Sequence, residues 1–251
     1  MHYIVLHLRY RLFLALNFLS VKTYKHIFFD LDHTLWDFDK SSEETVYELI
    51  EHYQLHINTP YTHIEFFNTF RKVNSDLWQL YNVGKTTKDL IRTERFKLIF
   101  ESLNIPLTLL PKSIGDEYLA SCPLKPNLIE YASDILEYLS KKYCLHILTN
   151  GFDDVQFLKL KHASINHYFD CIITSESTGK TKPHKKIFEF ALTSAKTKRD
   201  ECIMIGDNIS TDIEGACNAG IDSVFYNPLG LKKEHKATYE IRHLKELKSL
   251  L

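Results

Sequence analysis

His26-Ile27-Phe28-Phe29-Asp30-Leu31-Asp32-His33-Thr34-Leu35 is the stretch on which the fold turns. Ile27-Phe28-Phe29 is a short, aromatic and β-branched apolar run. It predicts a buried strand that stops where two aspartates spaced by one residue begin. Side chains alternate along an extended segment, so Asp30 and Asp32 emerge on the same side. Two carboxylates leaving a buried strand together repel one another and are costly to desolvate, and a positive group is expected beside them. A divalent cation meets that need, since Mg²⁺ takes a few carboxylate oxygens and keeps positions for water or a phosphate. In isolation the same DxD also describes a strand-end turn with two solvated aspartates, so the other strand ends must decide.

The 251 residues are 44% hydrophobic and 25% charged, with a net charge of −1. That balance is globular, suffices for a sizeable core, and carries no field that points to nucleic acid or to an anionic membrane, so neither is expected as a partner. The five cysteines, at 122, 144, 171, 202 and 217, form no CxxC pair. They predict thiols in a reducing, cytoplasmic setting. Residues 1–20 place Arg9 and Arg11 around the start of an apolar run through Leu19, a faint likeness of a secretory leader without a clear cleavage site and too short for a membrane span. The expectation is a dispensable N-terminal extension, with the folded unit opening near Val21.

Ser41 and Glu44 have capping-box spacing ahead of a helical face formed by Val46, Leu49, Ile50 and Tyr53. A second helix is expected over 62–81, with Phe66, Phe70, Val73, Leu77 and Leu80 on one face and Gly84 ending it. A third begins near Thr86 and carries Leu90, Phe96, Ile99, Phe100 and Leu103. No strand interrupts them, so 39–122 reads as a helical insertion between the first strand and the next. Beyond Pro126 helices over 128–142, 152–162, 185–195, 210–219 and 243–250 alternate with strands over 144–149, 171–174, 202–205 and 222–226. This rhythm predicts an α/β fold: a Rossmann-like, doubly wound parallel sheet formed by 21–38 and 123–251 and covered by helices on both faces. Ligands of such sheets lie beyond the carboxyl ends of the strands.

Those ends are informative as a set. The first delivers Asp30 and Asp32, the second Thr149-Asn150, the third leads to Lys182-Pro183, and the fourth delivers Asp207, with Asp212 following. A carboxylate that attacks phosphorus needs cations to offset repulsion from the phosphoryl oxygens, hydroxyl and N–H donors on those oxygens, and a proton for the leaving alkoxide. Each requirement has a candidate here.

Asp30-Leu31-Asp32-His33-Thr34, Leu148-Thr149-Asn150-Gly151, the Lys182-Pro183 segment and Gly206-Asp207-Asn208-Ile209-Ser210-Thr211-Asp212 resemble, in this order, the four signature segments of the haloacid dehalogenase superfamily. The resemblance spans residues 25–230 and implies a Mg²⁺-dependent phosphomonoester hydrolase. In it Asp30 is the nucleophile that becomes an aspartyl phosphate, and Asp32 is the general acid and then the base for water. Thr149 and Lys182 bind the phosphate with Asn150 and Gly151 beside them, and Asp30, the Asp32 carbonyl, Asp207 and Asp212 form the metal site. Lys180 stands as a rival to Lys182, which is preferred because it directly precedes the proline. The dehalogenase branch lacks the second aspartate, so Asp32 implies phosphoryl chemistry. The insertion resembles the C1 cap of subfamily I.

Asp30 to Phe38, with Asn74, Leu77-Trp78, Gly84, Arg92 and Arg95-Phe96, further resembles the pyrimidine 5'-nucleotidase branch. It implies a small phosphate ester of nucleoside-monophosphate type as substrate, with Phe38, Asn74, Trp78 and Arg95 as base-contact candidates, in a monomer or homodimer. Plainer readings stand beside these: Trp78 as helix core, Arg92 and Arg95 as surface partners of Asp89 or Glu94, and Asp212 as a helix-start acid. A phosphomutase or sugar phosphatase on the same core, a signalling receiver and an idle binding homologue are the alternatives. The receiver lacks the paired DxD and the insertion, and the idle homologue is disfavoured by the full motif set.

Overall fold

Ile27, Phe28 and Phe29 are fully buried and form β1, His26–Phe29, the middle strand of the computed structural model, which describes residues 23–251. The expectation for residues 1–20 falls outside the described residues. β1 pairs in parallel with β2 (Cys144–Leu148) on one side and β4 (Cys202–Gly206) on the other. β3 (Phe169–Ile173), β5 (Asp222–Tyr226) and β6 (Tyr239–Ile241) complete a parallel sheet of order β3-β2-β1-β4-β5-β6. Phe29 lies opposite both Ile147 and Ile205, so the residues that follow these three strands leave the sheet side by side.

Side-chain alternation sends the two sides of β1 to different cores. Phe28 joins Met204, Leu148, Ile187, Phe188 and Ala216, whereas Ile27 and Phe29 join Leu145, Ile147, Ile203, Ile205 and Ile135. The covering helices are short and lie where the alternating rhythm expects them. They are α5 (Ala132–Ser140), α6 (Asp153–His162), α7 (Lys185–Ser194) and α8 (Glu214–Ala219), numbered after those inserted between β1 and β2.

The longer inserted helices are α1 (Phe38–His52), α2 (His63–Asn82), α3 (Lys88–Ser102) and α4 (Ile114–Ser121), with a single helical turn over Leu55–Asn58 between the first two. Phe66, Phe70, Phe96, Phe100 and Tyr118 knit them together, with the Phe70 and Tyr118 rings 5.1 Å apart. The predicted capping box of α1 is not formed. Asp37 caps the helix instead, accepting from the Lys40 N–H at 2.9 Å, and Ser41 and Glu44 fall inside the first turns. The box motif does appear at α2, between Thr62 and Glu65.

α5 starts later than 128 because Tyr131 sits in the left-handed region at φ 68. Residues 127–129 meanwhile bond to the outgoing chain, through Asp37 N–H to the Asn127 carbonyl and Ile129 N–H to the Leu35 carbonyl. The chain thus leaves and re-enters the sheet layer through one paired seam. No helix among the described residues is long and apolar enough to cross a membrane, and all five cysteines are free thiols.

Candidate active site

Because β1, β2 and β4 end level, Asp30, Thr149 and Asp207 meet at one edge, and Lys182 reaches in from the loop after β3. Lys182 is 1% exposed. Its Nζ donates to Asp30 Oδ1 at 2.7 Å and to the Leu148 carbonyl at 2.7 Å, and it pairs with Asp212 Oδ1 at 2.6 Å. Lys180 is exposed and makes no such contact, so geometry separates the two lysines that spacing left in competition. Burial works against the Lys182 charge, but the Asp212 and Asp30 carboxylates overcome it and raise its pKa.

The carboxylates outnumber that lysine. Asp207 accepts from the Thr34 hydroxyl at 3.2 Å, and Asp212 from the Asn208 N–H at 3.1 Å and the Thr211 hydroxyl at 3.3 Å. Burial, and then the neighbouring carboxylates, push Asp30 and Asp207 well above the ordinary carboxylate range, with Lys182 only partly opposing the rise. One oxygen from each of Asp30, Asp207 and Asp212 lies within 4.8 Å of the others. Three clustered carboxylates, only two of them paired with the Lys182 ammonium, are a hard-oxygen donor set that fits Mg²⁺ and its charge.

Asp32 is held apart from this cluster. Lys159 Nζ donates to its Oδ1 at 2.6 Å and Gln156 Nε2 to its Oδ2 at 2.9 Å. Burial raises the Asp32 pKa, but the Lys159 ammonium and the two hydrogen bonds more than offset it and leave the carboxyl below its usual range. The Lys159 ammonium also sits 4.4 Å over the Trp36 ring. Gln156 donates in addition to the Thr149 hydroxyl at 3.1 Å, and the Gly151 N–H donates to the same oxygen at 3.1 Å. With both acceptor sites of that oxygen taken, the Thr149 O–H proton is the part left for a ligand.

Gln156 and Lys159 are absent from the sequence-derived site. Their signal was present: α6 buries Gln156, Lys159 and Leu160, following its cap Phe152, on one helical stripe. Two polar residues on a stripe that should be apolar need a partner in the interior.

Asn150 behaves as scaffold. Its Nδ2 donates to Asn82 Oδ1 at 2.9 Å and to the Lys182 carbonyl at 3.0 Å, while its Oδ1 accepts from the Lys182 N–H at 2.7 Å. Gly151 is tight, since a Cβ there would lie 1.6 Å from Gln156 Nε2.

A cavity of about 630 Å³ opens over these groups, walled on its far side by the inserted helices. Phe38, Asn74, Trp78 and Arg95 all line it. Trp78 lines the cavity while stacking on Phe152 at 5.2 Å and meeting Tyr81 edge-on at 5.5 Å. Arg92 pairs not with Asp89 or Glu94 but with Asp154, at 2.8 Å, because the first turn of α6 presents that carboxylate. Lys88 joins it, reaching Asp154 at 3.2 Å and Glu176 at 3.0 Å. Arg95 is buried and faces neither Asp89 nor Glu94.

Several known proteins are similar to this chain along most of its length. The Escherichia coli pyrimidine 5'-nucleotidase YjjG is 30% identical over 90% of this chain and 96% of its own length. A glyceraldehyde 3-phosphate phosphatase of Methanothermobacter thermautotrophicus is 28% identical over 81% and 85%. The crystal structure of the HAD-hydrolase YfnB from Bacillus subtilis, bound to magnesium, superposes with a TM-score of 0.81 at 28% identity, covering 92% of this chain and 99% of that one. The family profile of haloacid dehalogenase-like hydrolases matches residues 27–226, most of the chain. With the parallel sheet, the level strand ends and the buried Asp–Lys cluster already in view, this protein belongs to the haloacid dehalogenase-like hydrolases.

Proposed function

We propose that the protein is a Mg²⁺-dependent phosphomonoester hydrolase working through an aspartyl phosphate on Asp30, and that its substrate is a pyrimidine nucleoside 5'-monophosphate. The observation that supports the chemistry most is the Lys182 ammonium shared between Asp30 and Asp212 at 2.7 and 2.6 Å. It orients the nucleophile through Oδ1 and leaves Oδ2 to meet phosphorus. A Mg²⁺ ion held by Asp30, the Asp32 carbonyl oxygen and Asp207, with Asp212 behind them, would supply positive charge to the phosphoryl oxygens.

In the first step an Asp30 oxygen bonds to phosphorus, the ester P–O bond breaks, and Asp32 protonates the departing oxygen. In the second, water attacks the same phosphorus, Asp32 takes its proton, and the Asp30–phosphorus bond breaks to release inorganic phosphate. Asp32 enters the first step protonated and leaves it ionised, and Lys159 and Gln156 then favour the ionised form that the second step needs. The Thr149 hydroxyl donates to a phosphoryl oxygen throughout. The insertion 39–122 acts as a cap on the core formed by 21–38 and 123–251, and the cavity under it is of a size that suits a nucleotide.

The substrate rests on the similarity to YjjG along nearly the whole of both chains; the phosphatase named for glyceraldehyde 3-phosphate favours a sugar phosphate as the second reading. A phosphate-release screen across nucleoside monophosphates, sugar phosphates and small organic phosphates, with and without Mg²⁺, tests both. Pyrimidine nucleotides should lead and turnover should need the metal. Sugar phosphates in the lead would sink the nucleotide assignment, and an isomerised sugar phosphate without free phosphate would point to a mutase.

A further inference from the structure

Glu51, His56 and His63 form a second group of metal-ligand side chains, apart from the catalytic cavity, which none of them lines. One donor atom of each lies within 4.8 Å of the others. Glu51 stands in the last turn of α1, His56 in the helical turn Leu55–Asn58, and His63 opens α2. The backbone beneath them is fixed. Leu55 is buried in the core of the insertion, and the Thr62–Glu65 capping box holds the first turn of α2. The His56 and His63 rings stack with centroids 5.2 Å apart, and the Tyr47 ring meets His63 edge-on at 5.2 Å.

Hydrogen bonding does not satisfy this trio. His63 Nε2 lies 2.6 Å from Glu51 Oε1. His56 Nδ1 lies 3.8 Å from the same oxygen, beyond hydrogen-bond reach, and it is sealed from solvent without a hydrogen-bond partner among the described residues. A ring nitrogen left unmet in this way is unfavourable, and an ion between the three groups would take its lone pair. Two imidazole nitrogens and one carboxylate are a donor set that suits Zn²⁺, whereas Mg²⁺ prefers oxygen alone.

We propose that Glu51, His56 and His63 bind one Zn²⁺ that ties the end of α1 to the start of α2, with a fourth position left to water. Ligands about 2.1 Å from one tetrahedral Zn²⁺ stand roughly 3.4 Å from each other. That separation falls between the two contacts that Glu51 makes now, 2.6 and 3.8 Å. A shift of less than about 1 Å in the Glu51 carboxylate therefore opens one and closes the other. The Glu51 side chain is 60% exposed, so it is free to make that shift, and an ion can enter from solvent. The ion would brace a corner of the insertion and would take no part in phosphoryl chemistry.

The test is a calorimetric titration of Zn²⁺ into metal-stripped protein in excess Mg²⁺, on the full chain and on His56→Gln and His63→Gln. Zn²⁺ taken up by the Asp30, Asp207 and Asp212 carboxylates or by exposed thiols is common to all three proteins, so the difference between them isolates this site. The parent should bind one Zn²⁺ more per chain than either variant. Loss of a direct ligand should weaken that binding by more than the roughly 10–100-fold that loss of an outer partner costs. Zn²⁺ should also raise the melting temperature of the parent more than that of His56→Gln, in which no hydrogen bond of Nδ1 is lost. A readout without variants is protection: in the unaltered protein Zn²⁺ should shield His56 and His63 from diethyl pyrocarbonate, scored by peptide mass spectrometry. Equal Zn²⁺ stoichiometry and affinity in the parent and a folded variant would overturn the site, as would full modification of both histidines in saturating Zn²⁺.

Discussion

Gly206 closes β4 directly before Asp207, and Gly206→Ala is the substitution whose consequence follows most directly from geometry. A Cβ on Gly206 would lie 2.3 Å from Asp212 Oδ2, 2.5 Å from its Cγ and 2.7 Å from its Cβ. Non-bonded carbons rest at about 3.5–4.0 Å, so roughly 1 Å must open. The side chain cannot swing its tip aside, because its Cβ is itself in the way and Asp212 is fully buried. The carboxylate must therefore draw away from Lys182 and from the Asn208 N–H, now 2.6 and 3.1 Å off.

Overpacking of this kind costs about 1–3 kcal/mol, and a damaged buried ion pair adds to it. A net loss of about 3 kcal/mol corresponds to a fall of roughly 6–12 °C in melting temperature for a chain of this size. A displacement of about 1 Å among groups that orient the nucleophile costs on the order of 10²-fold in rate. Thermal unfolding and phosphate release, measured on the same preparation, check both numbers. A variant that melts with the parent protein and keeps its kcat within twofold would show that Asp212 does not need its present position, and the reasoning would fall.

Asp30→Asn should abolish phosphate release while melting at or above the parent, because it removes one of three clustered, buried carboxylates beside a single lysine; sustained turnover would refute nucleophilic catalysis by Asp30. Lys159→Met should let burial raise the Asp32 carboxyl, so the acid limb of the kcat–pH profile should move to higher pH; an unmoved limb would disconnect Lys159 from Asp32. His146 is buried, and burial with its neighbour His26 lowers its pKa from 6.5 to about 4. The unfolded chain therefore takes up a proton that the folded chain refuses, so stability is full above pH 6.5 and falls as pH drops towards 4. The whole shift is worth about 3 kcal/mol. Replacing His146 by Val should flatten that part of the stability–pH curve, and an equally steep curve in the variant would rule the residue out.

The fold was legible wherever the signal was local. Apolar runs such as Ile203-Met204-Ile205 could be buried only in a sheet covered on both sides, and the residues just past them carry the chemistry. β6 was not legible, because Tyr239 and Glu240 are exposed and only Ile241 is buried, which leaves no apolar run to read. The Ser41–Glu44 capping box failed through competition: Asp37 offered a carboxylate one turn earlier, and the seam with Asn127 held the chain there. Gln156 and Lys159 lie far along the chain from their partner Asp32, so no local spacing could join them. Arg95 was singled out only through the resemblance, with a surface ion pair as the plainer reading, and the packing of Phe70 and Tyr118 around it is what shows an unmet charge.

The Asn82–Asn150–Lys182 bonds carry a consequence for building chimeras. Asn82 is the last residue of α2, and its side chain holds the amide that also fixes the backbone of Lys182. Its carbonyl takes the Thr181 hydroxyl as well. The inserted helices of this chain thus end on an alignment pin for the core lysine. A swap of the inserted helices that keeps Asn82 should leave Lys182 in place, while one that matches the cavity wall but loses Asn82 should misplace Lys182 without touching the core sequence.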